Sequence, residues 1–384
     1  MKLSKYFMMA AASLALFACS NDEDIPGLNG EGTKSVALKL DGLSSGTSTK
    51  AVGDAQKAGQ IALSNVTIYF TDGTKILKRE VLNSESPAWT ELTGKNGHIF
   101  HQLPSTVTQV QIVGNSAGKT ITEGTVAALK GSVLKAAGEQ EFTNVTLFGE
   151  DAELTKTTAD EHGDNVYTAT VDLKPLVARF EIGNIACTDM GTGPVSGFDL
   201  KVIGLMDFNT GVTLDGTTVS GPMTLSNILE PGSKNSEKGK YIFGEESDDA
   251  ADNSYADVKW AWDKFEGATN INNTTPWNPE TNKRFVYQFI PNKLANGKMA
   301  QIKLVLDNVV WTDGSGNPFN SVVTAKFQKG GQDLTEFEAG KIYTVDYQFK
   351  GENVGPWNPD DVKCVKINVT VASWEIVALT PVFE

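Results

Sequence analysis

Apolar residues recur at every second position along most of this chain. Val36, Leu38 and Leu40 form one such row, followed by Val66, Ile68 and Phe70, and then by Val110 and Ile112. The same spacing returns at Ala178, Phe180 and Ile182, at Phe285, Tyr287 and Phe289, at Ile302, Leu304 and Leu306, and at Tyr343, Val345 and Tyr347. A period of two is that of a strand with one face in a core. The longest alternation, Val365, Ile367, Val369 and Val371, runs into the segment from Trp374 to Phe383. Asp72-Gly73 between two apolar runs predicts a hairpin turn. One stretch departs from the pattern: Val126, Leu129, Val133 and Leu134 stand at i, i+3, i+7 and i+8. That spacing predicts an amphipathic helix over Thr122 to Ala137, beginning near Thr122 or Glu123.

Many short strands, frequent Gly and Asn turns and one helix predict an all-β protein of two tandem β-sandwich domains. The domains are expected to be of transthyretin-like, Greek-key type, with the helix in the first. The chain of 384 residues suits two domains by size. The break is expected near Lys174-Pro175, which gives domains at 51–174 and 175–384. Residues 231–281 are polar, carry Pro231-Gly232 and the acidic cluster Glu245, Glu246, Asp248 and Asp249, and read as a long surface excursion.

The first residues have a different character. Lys2 and Lys5 precede an apolar run from Phe7 to Ala18 that closes on Leu16-Phe17-Ala18-Cys19. A basic start, a short apolar core and small residues before a cut make a secretory signal. The run falls short of the ~20 residues that span a bilayer as a helix. With Cys at the first mature position, the signal resembles a bacterial lipobox. That resemblance implies that 1–19 is a lipoprotein signal and that Cys19 receives lipid. Two or more acyl chains would anchor the precursor stably, since each buried CH2 contributes ~0.8 kcal/mol. Ser20-Asn21-Asp22-Glu23-Asp24, followed by Pro26, Gly27, Gly30 and Gly32, reads as a solvated tether. Its acidity also resembles the surface-export address of lipoproteins in Bacteroidales-type cells.

Charge and motifs narrow the function. Net charge is −14, and loss of Lys2 and Lys5 with residues 1–19 makes it −16. Nucleic acid needs a basic face, so it is not an expected partner. Cys187 and Cys364 could pair or remain buried thiols, and the three His have no partners at zinc spacing. There is no Gly-x-Ser-x-Gly elbow, His-Glu-x-x-His or P-loop, and Asp248 to Asn253 lacks the Gly and terminal Glu of a calcium loop. Neither catalysis nor a cofactor is expected. Trp260, Trp262, Trp277, Trp311 and Trp357 lie in or near polar segments, and indole stacks on sugar faces. A surface glycan-binding lipoprotein is therefore the alternative reading.

Several segments then fall in one order. They are Ser35 to Leu40, Lys50-Ala51-Val52-Gly53-Asp54, Val66 to Phe70, Gln111-Ile112-Val113-Gly114-Asn115, Leu176 to Ile182, and Ile367 to Trp374. Together with the lipobox they resemble the fimbrillins, the pilin family of Bacteroidales type V pili. The resemblance implies a structural pilin, exported as a lipoprotein to the outer membrane and ending in an extracellular fimbrium that serves adhesion. It further implies that an extracellular trypsin-like protease removes residues 20–50, whose Val36, Leu38 and Leu40 complete the first sandwich. The cut would fall between Lys50 and Ala51, where Arg is more usual in the family. The vacated groove would then take the C-terminal strand, 372–384, of another copy or a related pilin. A donated strand satisfies both the open backbone groups and the apolar pockets, and a head-to-tail contact that does not close makes a filament. In that strand Trp374, Ile376, Ala378 and Val382 share one face, and Val377, Leu379 and Phe383 the other. The competing reading of these residues is an ordinary core strand of the chain's own C-terminal sandwich. A host or bacterial surface glycan or protein is the remaining partner to be expected.

Overall fold

The alternating runs become strands wherever the structure describes them. The computed structural model describes residues 33–41, 43–44, 60–141, 145–159, 165–219, 222–223, 260–264, 270–271, 285–291, 299–356, 363–373 and 375–378. Cys19, Lys50, Ala51, Trp374, Leu379, Val382 and Phe383 lie outside them, as do Trp277, Trp357 and most of 231–281.

The first strands are β1 (Lys34–Asp41), β2 (Leu43–Ser44), β3 (Gln60–Leu63), β4 (Asn65–Thr71) and β5 (Ile76–Asn83). After a short helix α1 (Trp89–Leu92) come β6 (His98–Leu103) and β7 (Gln109–Gly114), then α2 (Val126–Lys130) and β8 (Val133–Lys135). β9 (Leu147–Asp151), β10 (Thr155–Ala159), β11 (Asn165–Asp172) and β12 (Lys174–Pro175) complete this half. Two sheets form, β10-β11-β1-β6 and β12-β9-β7-β4-β5. They enclose one core, across which the Phe70 and Phe100 rings meet at 5.2 Å. The expected hairpin joins β4 to β5: the Asp72 carboxylate accepts from the Thr74 and Lys75 amides at 2.8 and 2.6 Å, and Gly73 supplies the φ of +89°.

The expected helix over Thr122 to Ala137 is largely replaced. Only Val126–Lys130 is α-helical, capped by the Thr125 hydroxyl, which accepts from the Ala128 amide. Gly131 stands at its C-terminal cap, and Val133–Lys135 becomes a strand that pairs with Gly211–Thr213. Leu134 is thereby buried and Val133 is 47 % exposed, the reverse of equal burial on one helical stripe. A tertiary β-pairing has overridden a helical spacing. The helix α1, which buries Trp89 and Leu92, adds a second helix to the one expected.

The second half contains β13 (Ala178–Cys187), β14 (Val195–Met206), β15 (Phe208–Asn209), β16 (Gly211–Thr213) and β17 (Pro222–Met223). It continues with β18 (Trp262–Lys264), β19 (Asn270–Ile271), β20 (Phe285–Phe289), β21 (Gln301–Trp311), β22 (Phe319–Lys329) and β23 (Gln332–Asp333). β24 (Lys341–Phe349), β25 (Lys363–Ser373) and β26 (Glu375–Ala378) end it. The main sheet runs β18-β14-β21-β22-β25-β24-β13-β20 and folds over on itself. β25 makes the corner: its first half runs parallel to β22, and its second half antiparallel to β24. Contacts between the two layers include Phe198 stacked with Phe349 at 5.8 Å, and the Tyr347 hydroxyl donating to the Ile302 carbonyl at 3.4 Å. The protein is thus mostly β, in two sandwich-like cores.

The halves are sewn together. β16 leaves the second half to pair with β8 of the first, burying Val212 and Leu214 in the first core. Gln140 and Gln288 clasp each other: the Gln140 amide donates to the Gln288 carbonyl at 2.8 Å, and the Gln288 amide donates to the Gln140 carbonyl at 2.9 Å. Among the described residues no helix is long and apolar enough to cross a membrane.

Candidate functional site: the first strand and the C-terminal strand

β1 lies inside its sheet, with β11 parallel on one side and β6 antiparallel on the other. All eight of its residues have partners on β11, from Lys34 with Asn165 to Asp41 with Asp172. Val36, Leu38 and Leu40 point into the core and are buried. On the opposite face Lys39 pairs with Asp41 at 2.6 Å in solvent.

Polar contacts fix the register of the strand. Lys34 is buried, its ammonium donating to the Val107 carbonyl and lying 4.2 Å from the centre of the Tyr167 ring. Burial pulls its pKa below the ordinary lysine value. Ser35 Oγ hydrogen-bonds His101 Nδ1 at 3.0 Å. Gly97, at φ +72°, approaches so closely that a Cβ there would sit 2.3 Å from the Leu38 carbonyl oxygen. Neither neighbour is joined to β1 by a hairpin, because the chain passes from β1 directly to β2. Loss of β1 would leave β11 and β6 facing an eight-residue gap lined by apolar pockets, a geometry suited to another extended strand.

The C-terminal residues form a second such arrangement. β26 lies between β2 and β3, parallel to both. Leu43 and Ser44 stand opposite Ile376 and Val377 on one side, and Gln60 to Leu63 stand opposite Glu375 to Ala378 on the other. Ile376, Val377 and Ala378 are therefore strand residues, but their partners come from the first half of the chain. That differs from the competing expectation of a strand in the C-terminal sandwich. Ala372 and Ser373 do belong to that sandwich, opposite Ile342 and Lys341, so the core strand runs two residues into the segment 372–384 expected to be the donor. The segment 372–384 is thus two pieces in its described part.

β2 and β3 were not foreseen, being two and four residues long; Ile61 and Leu63 alone carried an alternating signal. Asn115 has a role that its place at the end of Gln111 to Asn115 does not reveal. It is buried at φ +54°, a conformation Asn tolerates better than most side chains. Its side-chain amide donates to the Ala62 and Val145 carbonyls at 2.9 and 3.0 Å, and its oxygen accepts from the Ser64 amide at 2.9 Å. Asn115 thereby holds β3 against the end of β7. Asn115→Ala should lower unfolding free energy by about 1–3 kcal/mol for each buried group left unpaired, read as a lower urea midpoint.

Among the described residues no cluster of His, Cys, Asp and Glu could hold a metal. The buried Cys187 thiol donates to Asp189 at 3.4 Å, and burial raises its pKa to about 12, so it is not a thiolate near neutrality. Trp260, Trp262 and Trp311 are partly buried against the second core; Trp260 meets Phe208 at 5.1 Å and Trp311 meets Phe319 at 4.8 Å.

No family model and no curated protein matches this chain. Solved structures do. A candidate cell adhesion protein from Bacteroides eggerthii DSM 20697 is 14% identical with a TM-score of 0.53, over 90% of this chain and 98% of that one. A candidate cell adhesion protein from Parabacteroides distasonis ATCC 8503 is 17% identical with a TM-score of 0.52, over 90% and 97%. A fimbrilin from Porphyromonas gingivalis W83 is 12% identical with a TM-score of 0.50, over 90% and 98%. What is shared at such identity is the fold, over nearly the full length of each chain.

Proposed function

From the fold shared with Bacteroidales adhesion and fimbrial proteins, we propose that this chain is a structural pilin subunit of a cell-surface fimbrium. It is made as a precursor lipidated at Cys19, carried to the outer membrane and exposed to an extracellular trypsin-like protease. Hydrolysis adds water across the Lys50–Ala51 bond, leaving a carboxylate on Lys50 and an amine on Ala51. The strand holding Val36, Leu38 and Leu40 then departs, and the groove takes the C-terminal strand of the next subunit. The subunit's surface serves adhesion to a glycan or protein on another cell.

One observation carries this reading: β1, the first strand among the described residues, is buried in the middle of a sheet, between two strands to which no hairpin joins it. A strand so placed can leave without unthreading anything. Its loss uncovers both a ladder of backbone groups and the Val36, Leu38 and Leu40 pockets.

Mass spectrometry of the N-terminus of surface filaments tests the proposal. Filament subunits should begin at Ala51, Lys50→Ala should stop at a folded lipidated monomer, and Cys19→Ala should take up no labelled palmitate. A start at Ala58 would move the cut to Lys57 and keep the mechanism. Filaments whose subunits retain residues 33–41 would refute it.

A further inference from the structure

β2 and β3 are separated by residues 45–59, the interval that contains Lys50, and between those two strands sits the C-terminal strand β26. We propose that the removable segment has two tasks in the precursor: β1 fills the acceptor groove, and β2 latches the donor strand, so that one cut opens both. This rests on the pilin reading above and adds to it the regulation of the donor end.

Only Gly42 separates Asp41 at the end of β1 from Leu43 at the start of β2. Once the chain is cut between β2 and β3, nothing covalent holds β2 beside β26, and a departing β1 takes it along. β3 stays, because it is on the far side of the cut and is tied to Asn115 through Ala62 and Ser64. β26 then changes from a central strand with partners on both sides to an edge strand held by four residues. So short a two-stranded pairing is marginal by itself.

The latch also explains how an uncut precursor avoids premature pairing. A free strand edge pairs readily with other chains. In the precursor both the groove and the strand that would fill it are occupied, each by part of the same N-terminal segment. Leu43 strengthens the clasp, since it packs against the first core while its backbone stands opposite Ile376.

Hydrogen exchange read by mass spectrometry over 375–378 decides the matter in three forms of the full chain. They are the uncut wild type, the uncut double variant Leu43→Pro with Ser44→Pro, and the wild type pulse-labelled as dilute monomer directly after trypsin cutting. Exchange should be slow in the first. In the other two it should be roughly ten- to a hundredfold faster, as expected when one or two backbone hydrogen bonds are lost. The amides of 363–373 should not change. Should the double variant fail to fold, the cut monomer decides alone. If cutting does not occur, the pilin reading fails and the uncut double variant still decides the latch. Unchanged protection of β26 in monomers that have lost residues 33–50, or in a folded double variant, overturns the latch while leaving strand replacement at the groove intact.

Discussion

A chain ending at Ser373 is expected to fold, to be cut, and to form no filaments. The second sandwich should survive truncation because β25 has its full set of partners by Ser373, on β22 along its first half and on β24 along its second. The first sandwich should survive because β3 keeps its ties to Asn115 when β26 is gone. What disappears is the segment proposed to enter the neighbour's groove. Electron microscopy and size-exclusion chromatography after cutting should therefore find monomers only. Ile376→Asp with Ala378→Asp, and Val377→Asp with Leu379→Asp, test the two faces separately. The pair facing the groove should weaken the polymer by roughly 25 cal/mol per Å² of apolar area lost. Filaments from the truncated chain would exclude donation from this end. Unfolding of the truncated chain would mean that β26 is indispensable to the monomer and is not a strand free to be donated.

The second large effect is expected at Leu38. It is fully buried in the middle of β1, with Ala169 opposite on β11 and His98 on β6. Leu38→Ala should destabilise the uncut chain by about 2–5 kcal/mol, the transfer and cavity loss of a buried leucine. Denaturant titration of the precursor measures this. The same change should speed assembly of the cut chain, because the leaving strand is held less tightly while the donor is unaltered. Slower assembly from a folded Leu38→Ala precursor would argue that release of β1 does not limit strand exchange.

The sequence carried the two-residue period well, because a strand with one buried face must write it. Val36, Leu38 and Leu40, Val66 to Phe70, and the run ending at Val371 all lie in strands. It misled at Thr122 to Ala137, where Gly131 stops the helix after five residues and Val133 turns outward to let Leu134 meet β16. A pairing partner almost 80 residues away leaves no local trace. β2 and β3 were illegible for a related reason. Two or four residues cannot establish a period, and the strand that β2 and β3 both pair with, β26, lies at the other end of the chain. Asn115 was visible as a residue but not as a joint, since its positive φ and its carbonyl partners exist only after β3 and β7 have met.

Only Trp374 separates β25 from β26, so a pull on the C-terminal strand reaches β25 first. There it meets pairing with β22 along the first half of the strand and with β24 along the second. Where the pull runs along the strand, hydrogen bonds that cross it are loaded in shear and share the load. In a filament joined through β26, the corner strand that closes the second sandwich would also be its tension member. The clasp of Gln140 with Gln288 and the pairing of β8 with β16 would carry that load onward into the half of the molecule proposed to grip the next subunit.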